Sequence, residues 1–297
     1  MSALAPSRRT VLAGLSMVGL GALAGCSSLM DVSDDDESAS RNWLYDQSDY
    51  TDEEIQSALW FESPTKLVDA EEHLHDDLKG EYVASTMDRG PDLDSVEWAM
   101  LYHNELLATP GVRAYGGSFD STTARETTAA YGSSDDSESL GTVDEYELIG
   151  YGEDQYGLYR DGEAVAVSFA PSEDVVRDIV TNRSESPSKL SDDVQQLLDR
   201  TGFETTASVS FQSANGTGFT GSGFGYTVDG ETTTARFAHL NGSLSLDQLR
   251  DLGDDIEALS SVTVGEEGPV RWLEGTVDTD CTALDGTMFY VLEAPYE

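Results

Sequence analysis

The fold is decided by the stretch Tyr156-Gly157-Leu158-Tyr159-Arg160-Asp161-Gly162-Glu163-Ala164-Val165-Ala166-Val167-Ser168-Phe169. Aromatic and β-branched side chains, which favour strands, stand on both sides of Asp161-Gly162-Glu163. Asp-Gly between two such runs predicts a tight hairpin turn, because glycine adopts positive backbone angles without steric cost. We therefore expect strand 156–160 to return as strand 164–169.

A helix is predicted directly after this hairpin. It begins at Ser172-Glu173-Asp174, and its apolar face is formed by Val175, Val176, Ile179 and Val180. The same order recurs later as strand 224–228, the turn Asp229-Gly230-Glu231, strand 232–239 and a helix capped by Ser245 with Gln248. That second helix carries Leu246, Leu249, Leu252, Ile256 and Leu259.

Each copy also follows a helix and a strand, at 122–131 with 147–151 and at 191–201 with 206–211. We interpret the pattern as an α+β fold of antiparallel sheets with helices packed on one face, built from two tandem repeated units. The alternative is a chance similarity between two ordinary hairpin-helix segments.

The folded chain is expected to begin near Trp43. Thr51-Asp52-Glu53-Glu54 is a capping box that predicts a short helix, whereas residues 58–62 fit a first strand, and the sequence leaves both open. The spacing of apolar residues after Pro64 predicts an amphipathic helix over 64–78. The nearly continuous apolar run 96–103 predicts a strand buried on both sides.

The first 27 residues have the pattern of an export signal. Arg8 and Arg9 precede a short, glycine-spaced apolar run that ends Leu23-Ala24-Gly25-Cys26. Paired arginines at this place are the signal of the twin-arginine translocase, which exports folded proteins. The run is shorter than the roughly 20 apolar residues that a membrane-spanning helix needs. Leu-Ala-Gly-Cys resembles a lipobox, in which the cysteine becomes the lipidated first residue of the mature chain.

An acidic segment follows the signal, and the remaining divisions follow from the predicted elements. Asp34-Asp35-Asp36-Glu37 lies in a stretch without apolar periodicity, which predicts an extended tether rather than a metal cage. The expected organisation is signal peptide 1–25, acidic disordered tether 26–41, N-terminal α+β region 42–120, first repeat unit 121–190, and second repeat unit with C-terminal strands 191–297.

Charge limits the class of partner. The chain has 57 Asp and Glu against 16 Lys and Arg, for a net charge of −41. So much charge of one sign opposes compaction, and molar salt relieves the repulsion by shortening the screening length to about 3 Å. A hydrophobic fraction of 38% supplies a core, so the bulk of the chain is not disordered. Nucleic acid is excluded as a partner, because no basic face is present to meet phosphates.

Motifs for catalysis or metal binding do not assemble. Gly216, Gly218 and Gly221 have nucleotide-loop spacing, but strand-like residues follow them where a helix is required, so we expect a hairpin loop. Ser222 lacks the spacing of a nucleophile elbow. His73 and His75 are two apart on a predicted helix and point to different faces, while His103 and His239 stand alone. We expect no catalytic residue, no metal and no cofactor.

Two minor features concern modification. Cys281 is expected to be buried and inert, and it has no disulfide partner if Cys26 is lipidated. Asn182, Asn215 and Asn241 begin Asn-X-Ser/Thr sequons and are candidate N-glycosylation sites in loops.

The leader and the composition together resemble the haloarchaeal twin-arginine lipoproteins. The resemblance implies that Cys26 carries the lipid, that Arg8 and Arg9 are recognised by the translocase, and that the protein is anchored on the extracellular face of the cell membrane. It carries no catalytic residue. We expect a non-enzymatic protein with a binding or structural role toward an unidentified envelope protein or ligand. The alternatives are a secreted hydrolase with a site of scattered acidic residues and a solute-binding lipoprotein of a transporter.

Overall fold

The computed structural model describes residues 39–51, 55–74, 91–104, 109–132, 137–183, 190–213, 218–256 and 258–279. Twelve strands are described in these ranges: β1 Gln56–Glu62, β2 Val96–Asn104, β3 Gly111–Gly117, β4 Glu138–Val143, β5 Tyr146–Gly150, β6 Gln155–Arg160, β7 Glu163–Ser168, β8 Thr206–Ser213, β9 Phe219–Asp229, β10 Thr232–Leu240, β11 Ser260–Glu267 and β12 Val270–Asp278. The α-helices are α1 Pro64–Asp69, α2 Ser121–Ala130, α3 Glu173–Asn182, α4 Asp192–Thr201 and α5 Leu246–Asp255.

The sheet is antiparallel throughout its described pairings. Nine strands follow the order β4-β5-β6-β7-β3-β2-β1-β8-β9, and three more follow the order β10-β12-β11. Strands β9 and β10 lie in close contact, which brings the two groups together. The α+β class predicted from the sequence is confirmed.

The strands of the two proposed units do not form separate small sheets. Strands β4–β7 and β8–β9 lie at opposite ends of one sheet, and β3, β2 and β1 of the N-terminal region lie between them. The N-terminal region therefore joins the two units through backbone hydrogen bonds. The domain boundaries themselves remain a prediction.

Both proposed units contain a helix, three strands and a helix in that order, apart from β4, which has no counterpart between α4 and β8. Their helices pack differently. Strands β5 and β8 are the first strands after α2 and α4 in the two proposed units. They lie six places apart in a sheet whose neighbouring strands are all antiparallel, so they run in the same direction. If the units were duplicates, α2 and α4 would therefore lie on the same face of the sheet. Val112 of β3 packs in the cluster that contains Leu197 of α4. Tyr115, on the opposite face of β3, packs with Ala124 of α2. The sheet thus carries helices on both faces.

Strand β2 corrects the expectation of a strand buried on both sides. Val96, Trp98, Met100 and Tyr102 are buried, and the residues between them are exposed or half-buried. The strand is central, but only one of its faces meets the main core. The apolar residues on its other face are only half-buried. A continuous apolar run in the sequence does not distinguish this arrangement from burial on both faces.

The structure decides one alternative that the sequence left open and shortens two predicted helices. Residues 56–62 form β1, so the strand was the correct alternative, and residues 52–54 of the capping box lie outside the described part of the chain. Helix α1 ends at Asp69, and a 3-10 turn at Glu71–His73 follows it in place of a continuous helix to residue 78. Helix α5 has the expected capping box at Ser245 and Gln248 but ends at Asp255, before Leu259.

Much of the glycine-rich stretch belongs to a strand rather than a loop, because β9 begins at Phe219. A Cβ atom on Gly223 would lie 1.9 Å from Thr201 Oγ1, and one on Gly225 would lie 2.2 Å from the Thr201 carbonyl oxygen. These glycines let the end of α4 rest directly on the strand.

The β6–β7 hairpin, with its Asp161-Gly162 turn, also contacts the N-terminal segment. Gly162 has a φ of 76°, as the turn requires, and Glu163 is buried behind it. The Glu163 carboxylate accepts hydrogen bonds from Trp43 Nε1 at 2.7 Å, from Arg160 Nε at 2.9 Å and from the Tyr146 hydroxyl. The Arg183 guanidinium lies 4.9 Å from the centre of the Tyr146 ring.

We predict that Glu163→Ala lowers the free energy of unfolding by about 3 kcal/mol, because it leaves Arg160, Trp43 and Tyr146 without their shared acceptor. The matched control is Glu145→Ala. Glu145 pairs with the same Arg160 at 2.6 Å but is 76% exposed, so its loss should cost less than about 1 kcal/mol. Urea unfolding in constant molar KCl measures both values, and equal losses would contradict the role of burial.

Candidate functional site

A groove of about 230 Å³ lies on the sheet face that carries α2. Strands β2, β3 and β7 form its base, and the C-terminal end of α2 forms one wall. In the register of these strands Arg113 lies between Leu101 and Ala166, and Gly111 lies opposite Ser168. The groove exists because α2 ends at Ala130 and leaves the adjoining part of the sheet face uncovered by that helix.

Arg113 is a charged residue of the groove, and its guanidinium contacts phenol groups rather than carboxylates. Its guanidinium carbon lies 4.7 Å from the centre of the Tyr131 ring, and Nη1 donates a long hydrogen bond of 3.4 Å to the Tyr131 hydroxyl. The Tyr131 hydroxyl is in turn 2.5 Å from that of Tyr115. Burial, together with the hydrogen bond to Tyr131, raises the pKa of Tyr115, so the Tyr115 phenol keeps its proton at pH 7.

Among the residues that the structure describes, Arg113 has no carboxylate partner. Arg160, Arg177 and Arg183 behave differently, since each contacts an acidic side chain at 2.6 or 2.7 Å. An arginine kept from carboxylates in so acidic a chain retains donors for another anion.

Phe169 and His103 border the groove. Phe169 is 44% exposed and has a φ of 59°, a conformation that costs a bulky residue about 1–2 kcal/mol. The His103 ring stacks on Trp60 of β1, with ring centres 5.5 Å apart. Strained backbone beside an exposed aromatic ring occurs often at binding sites.

Ser168 and His103 lie on either side of Gly111 at the base of the groove. A Cβ atom on Gly111 would lie near both Ser168 and His103, yet those two side chains form no hydrogen bond with each other. The described ranges also hold no group of three or more His, Cys, Asp or Glu side chains placed to bind a metal ion. The geometry is suited to binding a molecule with apolar and anionic parts.

The residues predicted from the sequence lie elsewhere. Arg8, Arg9, Cys26, Asn215 and Cys281 are outside the described residues. Asn182 ends α3 rather than lying in a loop, and its amide donates to Asp178. Asn241 is exposed in the turn after β10, with its amide donating to the Phe219 carbonyl oxygen. Within the described ranges no helix is long and apolar enough to span a bilayer.

The histidines are separated in the structure. His73 lies 3.4 Å from the Glu72 carboxylate, and His75 is outside the described part of the chain. His239 is remote from the groove, at β10, where a Cβ atom on Gly242 would collide with its ring. Its Nδ1 is buried without a hydrogen-bond partner. Burial and the nearby Arg271 lower the pKa of His239.

Sequence reasoning missed the residues that line the groove. Three strands supply these residues: β3 carries Arg113, β2 carries His103, and β7 carries Ser168 and is followed directly by Phe169. No local sequence motif joins them. The available signal was a single arginine inside the otherwise uncharged strand Gly111–Gly117 of a strongly acidic chain.

Comparison with known proteins gives matches among solved structures alone. No model of a protein family matches the chain, and no curated protein matches it. Solved structures with similarity include crystal form III of TP0453, with a TM-score of 0.41 and 11% identity over 76% of this chain and 92% of that one. Crystal form IV of TP0453 gives a TM-score of 0.41 and 10% identity, over 80% and 96% of the two chains.

His239 makes the stability depend on pH. Because its folded pKa lies below the ordinary value of about 6.5, the unfolded chain takes up a proton first as the pH falls. We predict that the free energy of unfolding of the unmodified protein falls more steeply between pH 7.5 and pH 5 than that of His239→Gln. Urea unfolding at constant molar KCl gives both slopes, and parallel slopes would refute the assignment.

Proposed function

We propose that this protein is an exported, lipid-anchored, non-catalytic binding protein whose folded part takes a small ligand into the groove between α2 and β2, β3 and β7. The groove carries the proposal, because it combines an apolar lining with one arginine that lacks a carboxylate partner in the described structure. Such a combination is typical of ligand sites.

The anchor is supported by the sequence. Arg8, Arg9 and Cys26 have the order and spacing of a twin-arginine lipoprotein signal, and the acidic residues after Cys26 provide a tether. A single lipid chain anchors reversibly, since each buried methylene contributes about 0.8 kcal/mol, so stable retention calls for two chains. The ectodomain would then face a salty medium, which suits the excess of acidic residues that gives the full chain a net charge of −41.

For the anchor, we predict that mass spectrometry of protein from native membranes finds a chain that begins at lipid-modified Cys26. Cys26→Ser should move the protein into the medium, or leave its leader uncleaved, and replacing Arg8 and Arg9 by Lys should retain the full chain inside the cell. Cys281→Ser is the matched cysteine control and should leave the location unchanged. An unmodified chain that still carries residues 1–25 on the membrane would refute the anchor.

For the groove, we predict that fragments found to bind by saturation-transfer NMR in molar KCl lose their signal with Ala166→Phe. Ala166 is half-buried in the groove wall of β7, so a phenyl ring there fills the space. The control is Thr142→Phe, at an exposed position of β4. Far-ultraviolet circular dichroism checks that both variants are folded, with Ala166→Leu as a milder replacement.

Two results would count against this function. Binding that survives in both Ala166 variants would place the site elsewhere. Turnover of ester, peptide or glycoside substrates that stops in the Ala166 variants would make the groove an active site instead.

A further inference from the structure

Resting on the proposed function, we propose that the ligand of the groove is a small aromatic carboxylic acid. Its carboxylate pairs with the guanidinium of Arg113, and its ring lies on the small residues of β3 and β7. The proposal concerns the charge, the shape and the size of the ligand.

The preference for an anion follows from the partners of Arg113. A guanidinium has five N–H donors, and the described polar neighbours of Arg113 are the phenol hydroxyls of Tyr115 and Tyr131 rather than carboxylates. The guanidinium carbon lies over the Tyr131 ring, and the one described hydrogen bond of the group, from Nη1 to the Tyr131 hydroxyl, uses one of its five donors. A carboxylate matches the edge of a guanidinium with two parallel hydrogen bonds.

The preference for a single negative charge follows from the charges around the groove. Arg113 is the one arginine or lysine in the groove lining, within the described residues, and the chain as a whole carries −41. A phosphate or another dianion would keep one charge without a partner in a partly desolvated groove, which is costly. A monocarboxylate is neutralised by one guanidinium.

The preference for a flat, aromatic ligand follows from the residues that form the base and the walls of the groove. Gly111 and Ala166 give the base almost no side-chain height, and Leu101 adds an apolar surface beside them. Tyr131, Tyr151 and Phe169 stand around this base. Aromatic walls about a shallow apolar floor favour an aromatic ring over a branched or strongly polar group, and 230 Å³ limits the body to one or two rings.

The test compares acids with their amides. Phenylacetate and 1-naphthylacetate are titrated by calorimetry at pH 7.5 in constant molar KCl, beside phenylacetamide and 1-naphthylacetamide. Each pair has the same ring and differs in charge. Because a hydrogen bond to a charged group is stronger than a neutral one, we expect each acid to bind about tenfold or more tightly than its amide. Inorganic phosphate should not compete.

Substitution of Arg113 then locates the effect. Arg113→Gln should abolish most of the difference in affinity between each acid and its amide, whereas Arg113→Lys should keep part of that difference as a point charge. The control is Arg250→Gln, which removes the same charge at an exposed position of α5. It should leave all four affinities unchanged.

The outcomes separate this inference from the proposed function. Amides that bind as tightly as acids, or acids unaffected by both Arg113 variants, would overturn the carboxylate assignment while Ala166→Phe still abolished binding. Displacement of the acids by inorganic phosphate would also overturn it. Absence of binding by all four compounds, with other fragments still lost in Ala166→Phe, would refute the ligand class and leave the groove function standing. If Arg113→Gln does not fold, the acid-to-amide ratio of the unmodified protein and the Arg113→Lys result decide.

Discussion

The buried carboxylate of Glu163 is the contact on which the arrangement of the main core depends. It lies one residue after the turn glycine Gly162 and accepts the indole N–H of Trp43, so the hairpin and the N-terminal segment share one acceptor. From there the segment continues to Tyr45, whose carbonyl oxygen accepts the Tyr102 hydroxyl of β2 at 2.9 Å. Without this acceptor, the buried indole N–H of Trp43 and the buried hydroxyl of Tyr146 would lose their partner, which is a large cost inside a core.

The contacts of the few basic residues reflect the large excess of acidic residues in this chain. Only three lysines occur, and the described arginines mostly join elements distant in sequence, as Arg183 joins α3 to Asp144 and Arg41 joins the N-terminal segment to Asp199. Arginine suits this role because it binds carboxylates through a planar fork and also stacks on rings. Arg200, for example, contacts Glu267 and lies over the Trp272 ring. At molar salt such short contacts persist while longer-range attraction is screened.

Local features could be predicted from the sequence, whereas features that join distant segments could not. The Asp161-Gly162 turn and the capping of α5 by Ser245 depend on neighbouring residues, and both are present in the structure. The insertion of β3, β2 and β1 between the two hairpin groups depends on pairings between strands far apart in the chain, for which no local pattern exists. The groove was missed for the same reason, since Arg113 meets Tyr131 only because α2 folds back over β3.

The register of the sheet explains how Arg113 stays free of acids in a chain with more than three acidic residues for each basic one. Across the outward face its neighbours are Leu101 on β2 and Ala166 on β7, and the next positions in the row are Trp60 on β1 and Gly157 on β6. All four are apolar or lack a side chain, so no carboxylate reaches the guanidinium along the row. A half-buried cation set among apolar neighbours is costly for stability alone, since its desolvation is not repaid by an ion pair. That cost is consistent with a role for Arg113 in binding rather than in folding.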